Sequence, residues 1–177
     1  MEYLVVDLEG TCCDDGSIPP AERETIEIGA VIVTDAGEIS GDFSKLVKPV
    51  RHPSLTRFCT KLTGIRQHDV DVATPFPSVF GEFLAWAGDR RMFCSWGKYD
   101  LDQFRRDCSW NHLPLHFDRH GDLARMFGRK VGHRKAMKLM GIEACGSHHR
   151  GLDDAKNIAA ILVAMLRDGR VLKTNLL

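Results

Sequence analysis

At 177 residues, with 44% hydrophobic and 27% charged side chains, the chain fits one globular domain and is short for two. No stretch approaches the roughly 18 apolar residues of a membrane span, and 24 Lys/Arg against 24 Asp/Glu leave no net field to gather a polyanion. The N-terminus MEYLVVDLEG is acidic and enters a strand at once, unlike a signal peptide, so a cytoplasmic protein is expected.

In chain order, residues 3–8 read as a first strand and 10–21 as a loop with Gly, Asp and a Pro-Pro pair. TIEIGAVIVT (25–34) is β-branched and opens with alternation, a second strand. Asp35-Ala36-Gly37-Glu38 looks like a hairpin turn into a third strand ending near Val47. Helices are expected over 53–62, stopped by Gly64, and over 75–87, where apolar residues recur at helical spacing. Residues 91–96 form a short apolar run, a fourth strand, followed by a helix over 101–110 and a loop around Pro114. Residues 118–140 read as two short helices broken near 128–132. The last helix, about 153–168, carries Ile158, Ile161, Leu162 and Met165 on one stripe. A meander followed by alternating helices and strands on a mixed sheet is an α/β domain, with no repeat, linker or low-complexity tract. Six cysteines (12, 13, 59, 94, 108 and 145) include no C-x-x-C pair, so reduced structural thiols are expected.

Charge is unevenly spread. Residues 1–88 hold 7 Lys/Arg and 14 Asp/Glu; residues 89–177 hold 17 and 10. The stretch DRHGDLARMFGRKVGHRKAMK (118–138) has seven basic residues against two acidic, plus His120 and His133. An acidic half beside a basic half suits a cation site facing a polyanion, although a basic stretch is equally a solvated helical face.

The acidic end of the first strand is the sharpest local signal. Asp7 and Glu9 project from the same face, roughly 7 Å apart, at the end of a strand that reads as buried. Like charges there repel and lose hydration. Further carboxylates should converge on any cation they hold. Asp100 ends SWGKYD where a strand gives way to a helix, a place where α/β sheets gather site residues, and also a natural N-cap. Asp154 shares the inward stripe of the last helix, while Asp153 is rotated away from it. His148 and His149 precede that helix. The set suits two-metal phosphodiester hydrolysis. Hard oxygen ligands without a cysteine or multi-histidine cage favour Mg²⁺ or Mn²⁺ over zinc, and one histidine can take the proton of the attacking water.

These residues resemble the DEDDh 3′→5′ exonucleases. The first motif appears as DLEGT (7–11) backed by ETIEIGAV (24–31), the second as SWGKYDLDQF (95–104), and the third as HRGLDDAKNIA (149–159). Gly151 and Ala155 select the register that pairs His149 with Asp154 over His148 with Asp153. Within the family the chain is similar to the branch of the histone-mRNA 3′ exonuclease and the bacterial sporulation inhibitor KapD, through FCTKLTGIRQHDVDVATPF (58–76) and Trp96-Gly97 before Tyr99-Asp100. The resemblance covers about residues 3–166 of a single domain spanning 1–177 and implies a ribonuclease H-like mixed sheet flanked by helices. It further implies two Mg²⁺ or Mn²⁺ ions on Asp7, Glu9, Asp100 and Asp154, with His149 as general base. Single-stranded nucleic-acid 3′ ends, RNA favoured over DNA, would be the substrate and nucleoside 5′-monophosphates the product. Leu8 and Thr11 would approach the terminal nucleotide, Phe58 and Tyr99 would stack on the last bases, and Arg105, Arg129, Lys130, Arg134 and Arg150 would be phosphate contacts. Two other readings stay open: a non-catalytic nucleic-acid-binding module on the same scaffold, and a proofreading exonuclease attached to a DNA polymerase.

Overall fold

The computed structural model describes residues 2–88, 91–115, 117, 119–170 and the backbone of 174–176. Seven strands form one mixed sheet: β1 (Tyr3–Gly10), β2 (Thr25–Val33), β3 (Ile39–Lys48), β4 (Thr74–Pro75), β5 (Met92–Ser95), β6 (Arg119–Asp122) and β7 (Thr174–Leu176), in the order β4-β3-β2-β1-β5-β6-β7. The meander β1-β2-β3 is antiparallel, β5 and β6 run parallel to β1, and β7 closes the far edge antiparallel to β6. Among the described residues seven α-helices pack around it: α1 (Arg57–Thr63), α2 (Gln67–Asp71), α3 (Phe76–Ala87), α4 (Tyr99–Trp110), α5 (Leu123–Phe127), α6 (His133–Met140) and α7 (Gly151–Arg167). Among the described residues no helix is long and apolar enough to cross a membrane.

The central strands are covered on both faces, and all nine residues of β2 are buried. Strand alternation sorts their side chains into two cores. Leu4, Val6, Leu8, Ile28 and Ala30 face an aromatic layer of Phe43, Phe76, Phe80, Phe83, Phe93 and Phe104, which joins α3 and α4 to the sheet. Val5, Val31 and Val33 face the aliphatic stripe Ile158, Ile161, Leu162 and Met165 of α7. By the same alternation Asp7 and Glu9 stand on the α7 face, ahead of Val5.

Gly29 lets α7 begin where it does. It lies opposite Asp7 in the ladder, and a Cβ on it would fall 1.9 Å from the carbonyl carbon of Gly151. Backbone therefore packs on backbone where α7 meets the sheet.

Several elements depart from the sequence reading. The stretch 118–140 opens with β6 instead of a helix; its RHGD sequence carries no strand pattern, and pairing with β5 and β7 supplies the order. Asp118 lies outside the described residues. The helix expected from residue 53 starts at Arg57, because Thr56 caps it by accepting the Cys59 N–H at 3.0 Å. Helix α7 starts at Gly151, two residues before Asp153, so Asp154 falls inside its first turn. The cysteines of this sequence are all free thiols.

Candidate active site

Asp7 and Glu9 end the middle strand of the sheet, and Asp100 and Asp154 arrive from the first turns of α4 and α7. All four line one cavity of about 340 Å³, with His149, Leu8 and Tyr99 also in its wall. Asp100 does not cap its helix: α4 begins at Tyr99, and Oδ1 of Asp100 accepts the Leu8 N–H at 2.9 Å. Strand β5 pairs with β1 only through Val5, so the carboxylate stands in for the missing ladder partner of Leu8.

Partnership inside this cluster is unequal. Among the described residues neither Asp7 nor Glu9 accepts a hydrogen bond or an ion pair from the chain's side chains. Burial, then Asp100, Glu9 and Asp154, hold the Asp7 carboxyl well above the usual range. Burial and Glu27 raise Glu9 to about 8, and burial raises Asp100 to about 7 against the opposing pull of the Leu8 N–H. Asp154 goes the other way. Burial raises its pKa, but hydrogen bonding and charge from His133, with help from the His149 N–H and His148, bring it to about 2. A set of hard carboxylate oxygens that, among the described residues, is paired with no lysine or arginine fits one or more Mg²⁺ or Mn²⁺ ions. That is the chemistry of the donors themselves, and it makes the like-charge crowding of the first strand intelligible.

His149 occupies a left-handed backbone position, φ 61°, at the bend before α7, with its N–H donating to Asp154 Oδ2 at 2.7 Å. A ring nitrogen lies within 4.8 Å of carboxylate oxygens of Glu9 and Asp154. Burial and the neighbouring His148 lower its pKa, so the imidazole is neutral at neutral pH.

Behind this bend is an ion pair that the sequence reading used differently. Arg150 grips Glu27 with two bonds, NH2 to Oε1 at 3.0 Å and Nε to Oε2 at 3.2 Å, and the Gly151 N–H adds a third at 2.9 Å. Arg150 thus clamps α7 to β2 instead of standing free for phosphate, and Glu27 has a structural task. Arg105 is engaged with Asp102 on the surface. The Lys/Arg side chain that does line the cavity is Arg23, and its Nε is buried without a partner.

The structure brings together five of the expected residues and treats the substrate-facing ones unevenly. Leu8 and Tyr99 line the cavity, and Tyr99 is 43% exposed. Its hydroxyl sits 3.0 Å from where a Cβ on Gly10 would be, so the glycine admits it. Thr11 is fully buried away from the cavity wall, with its hydroxyl accepting the Glu24 N–H at 3.0 Å. Phe58 packs against Cys12, Ile26, Cys59, Ile65 and Val70, and Leu62, one helical turn later, reaches the cavity in its place. The expectation of no multi-histidine grouping does not hold: His133 and His148 both bond to Asp154. The sequence places His133 only with the basic stretch 118–138. Nothing local in sequence links it to a residue 21 positions away.

Comparison with known proteins identifies the family. A family model described as "Exonuclease" matches residues 4–162. The ERI1 exoribonuclease 2 of Mus musculus is 34% identical over 96% of this chain, and the 3′-5′ exoribonuclease 1 of Rattus norvegicus is 33% identical over 98%. The chain spans 29% and 56% of those relatives' lengths. Among solved structures, the nuclease domain of 3′hExo, a DEDDh family member bound to rAMP, superposes with a TM-score of 0.87 at 30% identity, covering 98% of this chain and 96% of that one. The fold is the ribonuclease H-like mixed sheet of these enzymes, and the chain belongs to the exonuclease family, in its DEDDh group of 3′→5′ exonucleases.

Proposed function

We propose that this chain hydrolyses phosphodiester bonds one nucleotide at a time from single-stranded 3′ ends, with RNA preferred over DNA, releasing nucleoside 5′-monophosphates. The observation that carries the reading is the convergence of Asp7, Glu9, Asp100 and Asp154, none of them paired with a lysine or arginine among the described residues, beside a neutral His149 in one open cavity. The RNA preference is supported by the exoribonuclease relatives.

Asp7, Glu9, Asp100 and Asp154 would hold two divalent cations. When bound, those cations supply charge for the phosphate and leaving oxygen and lower the pKa of an attacking water. The residues of the chain do the rest. His149, neutral in the free site, accepts the water's proton on a ring nitrogen. Leu8 and Leu62 give apolar walls, and the exposed Tyr99 ring offers a stacking face that tolerates any base. Arg23 presents a guanidinium to a backbone phosphate.

The test is electrophoresis of 5′-labelled single-stranded RNA and DNA of equal sequence, incubated with Mg²⁺, Mn²⁺ or chelator. The reading expects a metal-dependent ladder shortening from the 3′ end, faster for RNA. Intact strands under every metal, with binding retained, would reverse it in favour of a binding module. A preference for DNA would overturn the RNA assignment alone.

A further inference from the structure

We propose that His133, His148 and Asp154 form a zinc site that meets the carboxylate cluster at Asp154, and that zinc bound there acts as an inhibitor. Nε2 of His133 lies 3.0 Å from Asp154 Oδ1, and Nδ1 of His148 lies 3.0 Å from Oδ2, so both rings aim a nitrogen at one carboxylate. The offered atoms all lie within 4.8 Å of one another. The two ring centroids are 5.3 Å apart and their planes cross at 75°. Two imidazoles on one tetrahedral zinc, with Zn–N bonds of about 2.05 Å, would place their centroids about 5.2 Å apart. The observed spacing matches what a shared ion requires.

The rings are held before any ion arrives. Trp96 Nε1 donates to the Val131 carbonyl at 2.9 Å, fixing the turn that begins α6 with His133, and the Trp96 ring meets His133 edge-on. His148 stacks on His149 at 3.8 Å. His133 is 12% exposed and the Asp154 side chain 2%, whereas His148 is 40% exposed and leaves the site open on one side. Three protein ligands and an open position, with two of the ligands imidazole nitrogen, suit zinc or cobalt and poorly suit Mg²⁺. The hydrolysis outlined above gives His133 and His148 no substrate, cation or proton to hold; they bond to Asp154, and their two ring nitrogens are left to a different ion.

Inhibition follows from the shared ligand. Asp154 would serve the hydrolytic cations, and a zinc ion drawing on the same carboxylate excludes them. This consequence rests on the exonuclease reading; zinc binding itself does not.

The experiment is a titration of the full chain with Co²⁺, read by visible absorption, and with Zn²⁺ by competition in excess Mg²⁺. The wild-type chain should give the intense band of low-coordinate cobalt, saturating at one ion. His148→Gln, on an exposed ring, should keep the circular dichroism of the parent and weaken zinc at least tenfold; His133→Gln should do the same. Equal zinc affinity in wild type and His148→Gln overturns the site. So does loss of binding in Asp7→Asn with His148→Gln unaffected, because the ion then belongs to the carboxylate cluster. In the cleavage assay, His148→Gln should need at least tenfold more zinc for half-inhibition, and equal sensitivity overturns the inhibitory role. If the wild-type chain shortens no strand under any metal, the exonuclease reading fails, and the cobalt spectrum still decides the zinc site.

Discussion

Glu24, Glu27 and Asp107 are as deeply placed as Glu9 and Asp100, with exposures of 8%, 1% and 2% against 7% and 4%. Their surroundings differ in kind. Glu24 accepts bonds from the backbone N–H groups of Val50, Arg51 and His52, all within 2.9 Å. Glu27 holds the Arg150 fork and the Gly151 N–H. Asp7 and Glu9 have nothing equivalent. Depth alone therefore does not mark the site; unmet demand for positive charge does. Asp107 lies between the two sets, with one oxygen bonded by Thr25 Oγ1 at 2.6 Å and Gln103 Nε2 at 3.1 Å.

The contrast can be broken at either end. The largest effect is expected from Asp7→Asn, which should reduce 3′ shortening by about 10³-fold or more. It should also raise Tm in chelator at pH 8, because one of the crowded charges is gone. A lower Tm there would mean that Asp7 is partnered after all. Next comes Gly29→Ala. The new methyl would overlap the backbone of Gly151, so thermal unfolding should show a loss of about 3 kcal/mol or more, and cleavage should fall because α7 carries Asp154.

On the partnered side, Glu27→Gln should lower stability by about 2–3 kcal/mol, read by urea denaturation, since it strips a buried carboxylate from the Arg150 fork. Opposite signs of stability change for Asp7→Asn and Glu27→Gln are the comparison in its simplest form. The smallest effect is expected at Asp107, whose pKa burial raises to about 6. The folded form holds this proton more tightly than the unfolded chain does. Its stabilising contribution is thus complete below the unfolded value of about 3.9 and is lost as pH rises through 6. The stability of Asp107→Asn relative to the parent should rise between pH 4 and pH 8, by about 3 kcal/mol at most. A difference independent of pH would contradict the raised pKa.

Much of this was legible in the sequence where a period repeats. The meander, α3 and α7 announce themselves through alternation or helical spacing, and the α7 stripe alone turns Asp154 inward. What was not legible depends on contacts between distant segments. Strand β6 is four polar or small residues made a strand by its neighbours. Asp100 could be told from an N-cap only by its bond to Leu8, 92 positions away. His133 reaches Asp154 because Trp96 anchors Val131, a link among three elements that no local pattern encodes. Arg150 read as a phosphate contact because its partner Glu27 lies 123 residues earlier. Thr11 and Phe58, assigned through resemblance, are bonded to Glu24 and packed on the Cys59 cluster, while Arg23 and Leu62 line the cavity.

The most direct measurement is equilibrium Mn²⁺ binding, read from the electron paramagnetic resonance signal of the free ion, with Tm followed in parallel. The account predicts two bound ions per wild-type chain, a Tm that rises with Mn²⁺, and loss of both effects in Asp7→Asn. Full Mn²⁺ binding by Asp7→Asn, or none by the wild-type chain, would contradict the claim that these unpartnered carboxylates exist to hold cations.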